Sequence, residues 1–106
     1  MMEIKEIRTH HIPAQDGVDP IDVFIVWYGD CKSQVTIRCW DKAWTGYRGG
    51  HHTPRVEDYL VDCVEKGMTD HLVMLFSRTM QNSELSWLTK IIKNIHKHLK
   101  SSEVPA

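Results

Sequence analysis

Apolar positions alternate with polar ones through the first half of the chain and step by three and four through the second. The stretch "IDVFIVWYG", residues 21–29, predicts the strongest strand, with Ile21, Val23, Ile25 and Trp27 on one face and Phe24, Val26 and Tyr28 on the other. Apolar residues on both faces predict a central strand covered on both sides, at least in its middle. In "SQVTIRCW", residues 33–40, Val35, Ile37 and Cys39 point one way and Thr36, Arg38 and Trp40 the other. That pattern predicts a half-buried antiparallel strand, joined to its predecessor through a short turn at "YGDCKS". "AWTGYRGG", residues 43–50, reads as a further hairpin strand in which Gly46 marks a bulge or a close backbone approach. Near the start, "MEIKEIRTHHI" alternates loosely and suits a short edge strand, and "PAQDGVDP" after it is a loop.

Helical spacing begins after Thr53-Pro54, a hydroxyl for the N-cap followed by a proline whose missing N–H needs no partner there. Val56, Tyr59, Leu60, Cys63 and Val64 form one apolar face, and Gly67 is the natural stop. "TDHLVMLFSRT" predicts a second short helix, although Leu72 to Phe76 also fits a buried strand. Leu85, Leu88, Ile92, Ile95 and Leu99 make the clearest helical stripe. Strands first and helices after predict an α+β domain. Its expected form is a three- to four-stranded antiparallel meander followed by two or three helices packed on one face. A single domain over residues 1–100 and a frayed tail at 101–106 complete the expected organisation.

Composition excludes more than it selects. At 106 residues, 42% hydrophobic and 25% charged, the chain has the make-up of one ordinary globular domain. Its longest apolar run, Val23 to Tyr28, is far below the roughly 20 residues of a membrane span. No apolar secretory segment opens the chain, and three cysteines without a C-x-x-C pair suit a reducing compartment, so a cytoplasmic location is expected. A formal net charge of −1 gives no global attraction to nucleic acid.

The densest chemistry lies in "CWDKAWTGYRGGHHTP", residues 39–54. Interface centres favour Trp, Tyr and Arg, because these side chains bury much area and still donate hydrogen bonds. Trp40, Trp44, Tyr47 and Arg48 are therefore the expected partner-binding cluster, with the Lys90, Lys93 and Lys97 face of the last helix second. Trp27 and Trp87 are assigned to the core, Trp40 and Tyr47 to the surface, and Trp44 to either. Bases could also stack on the same aromatics beside the helix lysines. His51 and His52 offer a third use, as ligands of a small metal-dependent hydrolase, although adjacent histidines on an extended chain point apart. Cys39 and Cys63 fall at inward positions, where a thiol is more often a small hydrophobe than a nucleophile. Glu57, Asp58, Asp62 and Glu65 are read as the exposed face of the first helix. No catalytic residue, metal or cofactor is expected.

At "CWDKAWTGYRGG" followed by "VEDYLVDC", with "LTKIIKNIHKHL" at the end, the chain resembles small accessory and early-region proteins of tailed phages and enterobacterial prophages. Arg48 stands where that group often has a small or aromatic residue. The resemblance implies a non-enzymatic phage accessory protein that binds and modulates, most simply inhibits, a host protein such as a defence or DNA-processing factor. Single-stranded nucleic acid is the second choice of partner, no membrane contact is expected, and a homodimer through the first strand's edge or the exposed aromatics is compatible with the pattern.

Overall fold

The computed structural model describes residues 3–30, 32–49, 55–76 and 82–103. Four strands come first: β1 (Glu6–Ile12), β2 (Ile21–Gly29), β3 (Lys32–Cys39) and β4 (Lys42–Arg48). Three helices follow: α1 (Val56–Glu65), α2 (Thr69–Phe76) and α3 (Asn82–Glu103). The strands pair antiparallel in chain order, which makes a meander with β1 and β4 at its edges. The fold is α+β, as the order of the two periodicities predicts.

Strand period and register divide the sheet into two faces. Arg8, Ile25, Val35 and Gly46 share one cross-strand row, and Thr9, Phe24, Thr36 and Thr45 share the next, pointing the other way. On the first face Ile12, Ile21, Val23, Ile25, Val35, Ile37 and Cys39 are buried. They meet Leu60, Leu72, Leu88, Ile91, Ile92 and Ile95 of the helices in one core. The α3 stripe is the one its spacing predicts, with Ile91 added. Residues 70–76, ambiguous in sequence, belong to α2.

The second cover expected over β2 does not exist among the described residues. Phe24 is 40% exposed, and Val26 and Tyr28 are half-buried, none of the three belonging to the core that the helices share with the sheet. Two-sided burial arises where crossover helices fall on both faces of a parallel sheet, and an antiparallel meander needs no crossovers.

Two glycines fix how the layers meet. Gly67, at φ +74, ends α1, with its N–H and that of Met68 donating to the carbonyls of Val64 and Cys63 at 3.1 and 2.7 Å. A Cβ on Gly46 would lie 2.8 Å from the Leu75 carbonyl oxygen, so the bare backbone lets α2 sit against β4. The Thr53-Pro54 cap lies outside the described residues; Arg55 precedes α1 without a side-chain cap. At its other end the chain stays helical to Glu103, three residues into the segment expected to fray.

Candidate functional site

The expected aromatic cluster is distributed to three different places. β4 alternates, so Trp44, Gly46 and Arg48 share the helical side while Tyr47 points to the open side. Trp44 is buried, packed edge-on against Trp87 with ring centroids 5.3 Å apart at 80°. Its indole N–H donates to Glu84 Oε1 at 3.3 Å, and Lys42 pairs with the same carboxylate. Arg48 is 2% exposed, with its guanidinium 4.7 Å from the centre of the Tyr59 ring. The expectation that Arg48 faces water is therefore corrected, because a residue two positions on from Gly46 along a strand must share its covered face. Trp87 and Trp27 are half-buried, Trp87 packing against the core.

Trp40 lies elsewhere again. Cys39 pairs with Lys42, so Trp40 and Asp41 are the whole connection between β3 and β4. Trp40 is 69% exposed and sits at φ +60, a region that bulky L-residues rarely adopt. Its carbonyl accepts from Arg38 Nη1 at 3.2 Å. Tyr47, 46% exposed, is five residues beyond Lys42, about 17 Å along an extended strand. The aromatics and Arg48 thus do not assemble into one stacking platform.

On α3, Lys90 and Lys93 are exposed. Lys97 is held by the 13–20 loop, its Nζ 2.6 Å from Asp16 Oδ2, while Asn94 Nδ2 donates to the Gln15 carbonyl at 2.9 Å. That loop turns at Asp16 and Gly17, both at positive φ, and closes with a Gln15–Val18 bridge.

Sequence reasoning missed one charged cluster. Glu57 is buried, against the expectation that it lies on the exposed face of α1. Arg8 Nε and Nη2 donate to its two oxygens, His10 Nε2 lies 3.0 Å from Oε2, and Arg55 approaches to 3.6 Å. Burial pushes the Glu57 carboxyl up, but the Arg8 and His10 hydrogen bonds and the Arg8 charge outweigh it and bring it down to about 2. Beside it, Glu6, Arg8, Trp27 and Arg55 line a hollow of about 260 Å³. The available signal was the strand period: Arg8 and His10 fall on the same face of β1 as buried Ile12, and an inward guanidinium needs a carboxylate partner.

Asp58, Asp62 and Glu65 are exposed as expected, Asp62 and Glu65 pairing with Lys66 and Lys100. Cys39 and Cys63 are buried, and burial pushes both thiols up toward their protonated form. His51 and His52 lie outside the described residues. Among the described residues no group of three or more His, Cys, Asp or Glu side chains could hold a metal ion, and no helix is long and apolar enough to cross a membrane.

The uncovered sheet face carries three cross-strand rows: Ile7, Val26, Gln34 and Tyr47; Thr9, Phe24, Thr36 and Thr45; His11, Asp22, Arg38 and Ala43. In the last row Asp22 accepts from Arg38 at 2.7 Å and faces His11 Nδ1 at 2.8 Å. The hydrogen bonds from His11 and Arg38, with the Arg38 charge beside them, hold the Asp22 carboxyl below its usual range.

No curated protein and no solved structure matches the chain. The model of a phage family matches residues 2–68, which take in all four strands, the Trp40 turn and α1, and leave Lys90, Lys93 and Lys97 outside. With well over half of its length so matched, the chain belongs to that phage family.

Proposed function

We propose that this phage protein acts without catalysis, in the host cytoplasm, by binding and inhibiting a host protein such as a defence or DNA-processing factor. The supporting observation is Trp40. A tryptophan offers roughly 150–250 Å² of surface for burial, and this one presents most of itself to solvent at the tip of a hairpin. Its backbone is held in the left-handed region at a cost on the order of 1–2 kcal/mol. A glycine there would remove that cost, so the indole itself is the reason for a tryptophan in the turn. Lys90 and Lys93 offer charged contacts from α3, whose first turn lies close to this end of the sheet through the Lys42–Glu84 pair.

Capture from host lysate on immobilised protein tests the reading. Wild-type protein is expected to retain a defined host protein that Trp40→Ala does not, with both chains melting at the same temperature. Equal retention by the variant removes Trp40 from the contact, and no retained protein at all removes the host-partner reading.

A further inference from the structure

The uncovered sheet face is a second surface, adjoining the Trp40 turn through Arg38, whose Nη1 donates to the Trp40 carbonyl. Scattered exposed apolar residues are ordinary, but here Ile7 at 62% and Phe24 at 40% exposure adjoin Val26, with Tyr47 at 46% across Gln34. In its three rows the formal charges are Asp22 and Arg38, one of each sign, on the two central strands. A face this poor in net charge does not select a strongly acidic or basic partner, and the placement of its two charges selects a partner more narrowly.

Consider a two-fold axis running parallel to the strands between β2 and β3. It lays β1 over β4 of the second copy and β2 over β3, and keeps every cross-strand row at its own height. Asp22 then faces Arg38 of the other copy, and Arg38 faces its Asp22. At the other end Ile7 faces Tyr47, and Tyr47 faces Ile7. Both the charged row and the apolar row are complementary to themselves under one operation, as an isologous interface requires. Sheets stack face to face about 10 Å apart with strands within roughly 30° of one another, a spacing that lets these side chains meet.

We infer that two copies of this chain associate through the open sheet face, with Asp22 of each against Arg38 of the other. The area supports a reversible dimer. Four strands about 4.8 Å apart and seven residues of about 3.3 Å each outline roughly 450 Å² per copy. With side-chain relief the pair buries on the order of 1,000 Å², the lower end of specific interfaces.

Analytical ultracentrifugation of the full chain from about 1 µM to about 500 µM tests this. Wild-type protein is expected to shift from monomer to dimer across that range. Arg38→Asp and Asp22→Arg, both outside the core that the helices share with the sheet, are each expected to weaken self-association at least about tenfold by setting like charges opposite one another. Mixed in equal amounts they are expected to form a heterodimer, because Asp22 and the new aspartate of one chain meet the new arginine and Arg38 of the other. Circular dichroism on each variant confirms that it folds. A wild-type chain that stays monomeric overturns the inference, as does a dimer indifferent to both substitutions, which would place the contact at the β1 edge or elsewhere. Loss of host-protein capture in Phe24→Glu from a chain that is monomeric throughout would assign the face to that partner instead. Trp40→Ala leaves the dimer intact, so this inference and the host-partner reading fail separately.

Discussion

Arg8 grips Glu57 with two parallel hydrogen bonds, Nε to Oε2 at 2.7 Å and Nη2 to Oε1 at 2.8 Å, and so ties edge strand β1 to the first turn of α1. The pair is largely out of water, with side-chain exposures of 17% and 7%. Neutralising Glu57 removes the buried carboxylate and leaves Arg8 paired through Nη1 with the more exposed Glu6, at 3.1 Å. Glu57→Gln is expected to cost about 3 kcal/mol of unfolding free energy, read from urea denaturation near neutral pH.

The same carboxyl sets an acid limit. Its folded value of about 2 lies below its ordinary 4.5, so the unfolded chain binds the extra proton first as pH falls. The pair's contribution is complete above about pH 4.5 and is lost on the way down to about pH 2, a change of about 3 kcal/mol. Denaturation curves for wild type and Glu57→Gln should therefore converge through that window, and a gap that persists at pH 2 contradicts the assignment.

Gly46→Ala tests the seating of α2 on β4. The added methyl would meet a backbone oxygen at 2.8 Å and Leu75 Cγ at 3.0 Å, and a backbone oxygen cannot rotate away. A loss of about 1–3 kcal/mol is expected, with the secondary-structure content by circular dichroism unchanged.

Trp40→Gly should stabilise the chain while disabling it. Glycine accepts φ +60 without strain, so a gain of about 1 kcal/mol is expected, visible as a higher thermal midpoint. Trp40→Ala keeps the strained φ and should shift stability by less than about 0.5 kcal/mol. A glycine variant that melts lower than wild type would show that the indole contributes to the fold itself.

The alternation in "SQVTIRCW" and the 3–4 spacing from Leu85 to Leu99 carry the architecture openly, because each periodicity is fixed by backbone geometry alone. The site was less legible. Counting Trp44, Tyr47 and Arg48 as one surface overlooks that residues 44 and 48 share a strand face that 47 cannot share. Glu57 misled for another reason: its neighbours along α1 are exposed acids, and only the pairing of β1 onto β2 brings Arg8 and His10 over it. The apolar outer side of β2 signals burial without saying by what. A periodicity read along one chain cannot distinguish a helical layer from a second molecule.

The Trp40 turn lies at the end of the sheet where β3 passes into β4. A dimer whose axis runs along the strands carries both turns on the same end, side by side. A target displaying the matching groove twice would then be gripped by two indoles at once, and the second engagement would draw on the high local concentration set by the first. A modest single contact would so become a tight clasp on oligomeric targets and stay weak on lone ones.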